Sequence, residues 1–156
     1  MRYDIPFALT IAGSDCSAGA GIQADLKSMT ALGIHALTAL TCVVSETPEI
    51  VTDIHPVPPV SLQKQVSLLL KSYPVAAIKT GMLFSKAHIV AVTELLAQHE
   101  APLVIDPVMV ASTGDPLLEE NAVEALIERL LPLAAVITPN LPEAGVLLGR
   151  PVLTLD

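Results

Sequence analysis

The sequence predicts an α/β domain with an open, mostly parallel sheet and helices on both faces. Three observations point there. Strand-like and helix-like apolar runs alternate along the chain. The apolar residues are aliphatic, since 52% of the chain is hydrophobic and only 3% aromatic, as in strands buried on both faces. Glycine, proline or a polar residue follows each strand-like run, the punctuation of short strand-to-helix connections. With 156 residues, one domain spanning 1–156 is expected.

The elements follow in order. Residues 7–12 (FALTIA) are short, apolar and followed by Gly13, which predicts a first strand. A helix is expected over 22–32, with Gly33 as its stop. Residues 36–44 (ALTALTCVV) are rich in β-branched side chains and read as a buried strand. The stretch 45–59 is polar and then proline-rich (HPVPP), so a loop is expected there. Val66, Leu69 and Leu70 share one face of a helix over 60–72. Residues 76–79 form a strand ended by Gly81, and Ser85 caps a helix over 86–99. A strand over 103–106 stops at Pro107, a helix covers 121–131, and a strand over 135–138 stops at Pro139. The last helix runs 141–148, with Gly149 behind it. Right-handed crossovers turn this βα alternation into a parallel sheet.

Chemistry is expected at the carboxyl ends of the strands, where open parallel sheets bind ligands. Those ends carry Gly13-Ser14-Asp15, Ser45-Glu46, Lys79-Thr80-Gly81, Asp106-Pro107 and Thr138-Pro139-Asn140. Loops are polar in general. An Asp and a Lys joined directly to apolar strands need more explanation, because desolvating them is costly. The segment 19–24 fits G-x-G-x-x-A but lies too far behind the first strand for a dinucleotide fingerprint, and no Walker lysine follows. A glycine loop lying against a small substrate is the better reading, with Asp25 as a hydrogen-bond acceptor or as an acid favoured by the helix dipole. Asp106 suits Mg²⁺ or a turn start. Asn140, Pro142 and Glu143 resemble a capping box, and the same geometry aims helix N–H groups at a phosphate. Lys79 is in reach of Asp106 or of a phosphate, and both readings stay open. His35, His55, His88 and His99 are scattered and suggest no triad. His88 and His99 are expected on one helix with exposed edges.

Composition excludes some partners. Net charge is −8, and no Lys/Arg cluster exists, which argues against nucleic acid and anionic membrane. No apolar run reaches the ~20 residues of a membrane span. Asp4 and Pro6 interrupt any signal-peptide core. Cys16 and Cys42 lack zinc-site spacing, and reduced thiols fit a cytoplasmic protein.

Residues 8–25 (ALTIAGSDCSAGAGIQAD) closely resemble the start of hydroxymethylpyrimidine/phosphomethylpyrimidine kinases, members of the ribokinase-like superfamily. Residues 78–82 (IKTGM), 104–109 (VIDPVM) with STGDPLL after them, and 137–144 (ITPNLPEA) match in order. The resemblance implies a three-layer ribokinase-like fold and ATP- and Mg²⁺-dependent phosphorylation of a pyrimidine alcohol or its phosphate. It is compatible with a homodimer. By resemblance, Gly13, Asp25, Glu46, Gly81, Met82 and Val108 form the substrate side. Asp106, Asn140 and Glu143 face the metal and phosphates.

Two departures stand out. Glu46 occupies the place of a Gln that reads the pyrimidine edge in the family, and an ionised Glu only accepts hydrogen bonds. The family's glycine-rich GTGC-type segment, with its catalytic base and anion hole, is absent before Asp156. The chain is therefore expected to be the N-terminal portion of such a kinase, with its base beyond Asp156 and little turnover alone. The alternatives are a pyridoxal-type kinase and a non-catalytic binding module.

Overall fold

The computed structural model describes residues 4–109, 118 and 120–152. The expected STGDPL stretch lies outside them. Six strands form one sheet in the order β3-β2-β1-β4-β5-β6. They are β1 (Phe7–Asp15), β2 (His35–Thr47), β3 (Ile50–Pro56), β4 (Val75–Thr80), β5 (Leu103–Ile105) and β6 (Val136–Ile137). All neighbours run parallel except β2 and β3. The helices are α1 (Gly21–Ala31), α2 (Pro59–Ser72), α3 (Lys86–Leu96), α4 (Glu120–Ala125) and α5 (Leu141–Leu148).

The predicted fold class is therefore present, with one correction. Residues 45–59 are not a loop. β2 continues to Thr47, turns at Pro48-Glu49 and returns antiparallel as β3, with Val44 opposite Ile54 and Thr47 opposite Ile50. The β-branched run Ile50-Val51-Thr52 carried the strand signal. Proline is tolerated at Pro56 because β3 is an edge strand.

Burial explains the layers. Leu9 and Ile11 of β1 are fully buried and join Leu62, Val66, Ile89 and Val92 of α2 and α3 in one core. Thr10, between them, points to the other face and bonds Asp25 of α1. The predicted helix over 121–131 is α-helical only to Ala125. Its backbone widens into a π turn, Leu126–Leu130, then tightens into a 3₁₀ turn, Leu131–Leu133. Pro132 sits in that last turn, where its missing N–H ends the α-helical ladder. The expected exposure of His88 is also corrected. It is buried, with Nε2 2.7 Å from the Val57 carbonyl and Nδ1 2.7 Å from the Ser85 hydroxyl. A carbonyl only accepts, so Nε2 carries a proton, and in the neutral ring Ser85 donates to Nδ1. His88 thus ties the start of α3 to the segment before α2. No helix among the described residues is long and apolar enough to cross a membrane.

Strand order reverses at β1. The chain moves from β1 outward through β2 to β3, then crosses back to β4 on the other side of β1. The crevice at such a reversal, at the carboxyl ends of the strands, is where open α/β sheets hold ligands.

Candidate functional site

A cleft of about 830 Å³ opens there, a size suited to a small molecule. Gly13, Glu46, Gly81, Met82, Asp106, Val108, Asn140 and Glu143 line it, together with Asp15, Lys79 and the hairpin residues Pro48, Ile50, Val51 and Ile54. The structure thus gathers the expected site residues around one space, except Asp25. The hairpin, unforeseen as structure, supplies one wall.

The glycine loop is shaped by close backbone approach. β1 bulges between Ala12 and Ser14, and a Cβ on Gly13 would lie 2.9 Å from the Cys42 sulfur. Gly21 has φ +56°, and a Cβ there would lie 2.4 Å from the Gly13 carbonyl oxygen. No other residue type fits Gly21 without moving the backbone. Ala20, at the N-cap of α1, has no side chain to cap with. Asp15 instead ties down the loop that leads into the helix. Its carboxylate accepts from Ser17 N at 2.6 Å, Ser17 Oγ at 3.0 Å, Gly19 N at 2.9 Å and Ala20 N at 2.8 Å. Burial pushes this carboxyl up, but the hydroxyl and the three N–H groups outweigh it and hold it below the usual aspartate range. Gln23 braces the loop by accepting from Asp15 N at 3.0 Å and donating to the Ser14 hydroxyl at 2.6 Å. Cys16 joins the loop to the hairpin, its sulfur 3.3 Å from both Glu46 N and Glu46 O.

The opposite side is built on β4 and β5. Thr10 of β1 stands opposite Lys79 of β4, so both side chains rise from the same face of the sheet. There they meet Asp25 from α1. Lys79 Nζ lies 2.9 and 3.1 Å from the two Asp25 oxygens, and Thr10 donates to the same carboxylate. The hydrogen-bond partner of Lys79 is thus Asp25, which the sequence reading did not foresee. Asp106 is 4.0 Å away, beyond hydrogen-bonding distance. Asp25, expected as an acceptor for the substrate and as a first-turn acid, lies beneath Lys79 and deeper in α1 than its first turn. Gly81 N donates to Ile11 O at 3.0 Å, and Thr41 Oγ donates to Met82 O at 2.7 Å. These bonds pin the Gly81-Met82 turn to β1 and β2. Val108 has φ +45°, a strained conformation for a β-branched residue and one that often accompanies a site.

Asp106 and Glu143 differ in what they leave free. Glu143 is buried, and its oxygens accept from Met109 N and Asn140 N, each at 3.0 Å. Asn140 Oδ1 accepts from Glu143 N at 2.8 Å, which completes the capping box of α5. The Asp106 carboxylate accepts no hydrogen bond among the described residues. Burial pushes its pKa up, Lys79 opposes that, and Glu143 and Asp25 add to it. Glu46 likewise has no hydrogen bond to its carboxylate among the described residues, and burial and the Asp15 charge raise its pKa. Those residues hold no cluster of three His, Cys, Asp or Glu fit for a metal. Asp106, with its carboxylate unbonded on the β5 side of the cleft, would be a ligand for a divalent cation.

Comparison with known proteins agrees with this geometry. The chain is 47% identical over 142 residues to a hydroxymethylpyrimidine/phosphomethylpyrimidine kinase of Haemophilus influenzae, covering 90% of this chain and 53% of that one. The crystal structure of phosphomethylpyrimidine kinase from Clostridium difficile superposes with a TM-score of 0.90 at 38% identity, covering 97% of this chain and 66% of that one. Pyridoxal kinase from Staphylococcus aureus, in complex with AMP-PCP and pyridoxal, superposes at 0.84 with 40% identity, covering 98% and 55%. The chain spans about half the length of the curated relative and two thirds or less of these two structures. The family model for phosphomethylpyrimidine kinase matches residues 15–156. With almost its whole length accounted for by that match, this ribokinase-like α/β chain belongs to the phosphomethylpyrimidine kinase family.

Proposed function

We propose that the chain provides the substrate-binding half of a small-molecule kinase that uses ATP and Mg²⁺ to phosphorylate hydroxymethylpyrimidine and its monophosphate for thiamine biosynthesis. The observation that carries this is the cleft at the β1–β4 reversal, lined by residues of the segments whose sequences resemble the family's motifs. Gly13, Met82 and Val108 are the surfaces against the ring. Glu46 is the polar group for its edge, accepting from an exocyclic amine. Asp106 would hold Mg²⁺, which would supply charge neutralisation for the phosphates. The substrate hydroxyl, or a phosphate oxygen of the monophosphate, would attack the γ-phosphate in line, with ADP leaving and the hydroxyl proton passing to a general base, and catalysis would come mainly from positioning and neutralised charge. Glu143 and Asn140 keep the start of α5 and Met109 in place around Asp106. Two unpaired cysteines, one exposed and one buried, fit a cytoplasmic setting.

A second reading is a pyridoxal-type kinase, favoured by the Staphylococcus aureus neighbour with pyridoxal bound and by an acidic side chain at Glu46. Calorimetric titration of the purified chain with hydroxymethylpyrimidine and with pyridoxal, separately and in competition, tests both. Tighter binding of the pyrimidine supports the first. Binding of pyridoxal alone replaces it with the second, and binding of neither overturns both.

A further inference from the structure

The cleft is an acidic place to bring a phosphate. Asp15, Glu46, Glu49, Asp106 and Glu143 line it, and Lys79 is the one basic side chain among its described lining residues. Two helices begin at its rim, and helix N-termini ordinarily receive anions. At both, the N–H groups just ahead of the helix are taken by the protein's own carboxylates. Asp15 takes the N–H groups of Gly19 and Ala20 ahead of α1. Glu143 takes that of Asn140 ahead of α5, Asn140 returns a bond to Glu143 N, and Pro142 has no N–H to give.

Lys79 is differently situated. An ammonium has three N–H donors. Asp25 engages them at 2.9 and 3.1 Å through its two oxygens. The 4.0 Å gap to Asp106 leaves the remaining donor without a hydrogen bond on that side. The side chain keeps 26% of its surface open and borders the cleft. Thr10, fully buried, holds Asp25 from behind, so the ammonium is fixed by a chain of contacts reaching into the sheet.

We propose that Lys79 determines whether a phosphorylated substrate is accepted: its free N–H receives a phosphate oxygen of the pyrimidine monophosphate, and Asp25 is the positioning residue that aims it. The proposal rests on the kinase reading above, since the relatives' names give both an alcohol and its phosphomonoester as substrates. A neutral alcohol gains little from the ammonium. A phosphate dianion gains a charge-assisted hydrogen bond, worth about 10- to 100-fold in affinity. The same phosphate chemistry is offered by the nucleotide, so the test must separate the two sources.

The test is calorimetry on the full chain with hydroxymethylpyrimidine, its monophosphate and AMP-PCP, comparing wild type with K79M and K79R. K79M is expected to weaken the monophosphate about 10- to 100-fold and the alcohol less than about 3-fold, while K79R keeps most of the monophosphate affinity. Equal losses for both pyrimidines, or no loss for the monophosphate, overturn the role of Lys79 and leave the kinase reading standing. A loss confined to AMP-PCP overturns it too, by assigning Lys79 to the nucleotide. Wild-type protein that binds neither pyrimidine overturns the kinase reading and this inference with it. K79M strands the Asp25 charge in a half-buried site. If it fails to fold, the double variant D25N/K79M removes both charges and gives the same comparison.

Discussion

On the β1–α1 side of the cleft, the Asp15 carboxylate accepts four hydrogen bonds within its own loop. On the β4–β5 side, the Asp106 carboxylate accepts none among the described residues and stands 4.0 Å from its nearest cation. The two aspartates follow comparable strand ends, yet their acidities move in opposite directions. The difference separates two kinds of work. Asp15 spends its charge on the fold and fixes the loop before any ligand arrives. Asp106 keeps its charge unspent, which costs stability and leaves it open to a ligand. Active sites commonly show this trade between stability and function.

Breaking the shaped side should give the largest effect. Gly21→Ala adds a Cβ 2.4 Å from the Gly13 oxygen at a positive φ and is expected to destabilise by about 2–4 kcal/mol in urea denaturation. Unchanged stability would mean the loop is not held closely. Asp15→Ala removes the four hydrogen bonds that hold the loop leading into α1 and should cost about 1–3 kcal/mol. The pH sign is fixed by the lowered native pKa. Between that value and the unfolded one, the unfolded chain binds more protons. The Asp15 contribution is therefore complete above the unfolded pKa and disappears as pH falls through the native value. Asp15→Ala should flatten the acid limb of the stability profile.

The other side should respond in the opposite sense. The native pKa of Asp106 is raised, so the folded chain binds more protons between the two values, and stability falls as pH rises through that window. Asp106→Asn should then stabilise the chain at neutral pH, by about 0.5 kcal/mol, because the carboxylate is more than a third exposed and solvent screens it. It should also abolish Mg²⁺-dependent binding of AMP-PCP, measured by titration with and without the metal. Loss of stability in this variant would erase the contrast with Asp15. The smallest effect concerns Glu46. Glu46→Gln should strengthen hydroxymethylpyrimidine binding about 2- to 10-fold by restoring a donor. Wild-type binding is expected to weaken as pH rises through the raised Glu46 pKa, because the ionised carboxylate still accepts but no longer donates, and Glu46→Gln should remove that dependence.

Much of this is legible in the sequence. The sites of β1, α1, β4, α3 and α5 follow from apolar period and glycine or proline stops, because those signals are local. The hairpin was missed because proline and polar residues late in 45–59 outweighed the β-branched Ile50-Val51-Thr52, and an edge strand tolerates both. His88 was misjudged because burial of a polar ring depends on partners in two other segments, Ser85 and the Val57 carbonyl. At the site, strand ends and motifs pointed to most cleft-lining residues. The pairing of Lys79 with Asp25 was hidden, since the two are separated by 54 positions and meet only through the β1–β4 register that sets Thr10 opposite Lys79. The role of Asp15 was also hidden, because a carboxylate turned back onto its own loop has no sequence mark distinct from one facing a ligand.

The two borders of the sheet are unlike each other. β3 ends in Asp53, His55 and Pro56, charged, polar and proline residues that discourage a further strand from docking. β6 is two residues long, Val136 and Ile137, and about half of each remains exposed. Any strand that extends this sheet, from this polypeptide or another, is thereby directed to β6. Extension there adds surface beside α5, whereas the hairpin wall and the glycine loop stay untouched. On the proposed kinase reading, additions at the β6 border would leave the hairpin wall that faces the acceptor unchanged.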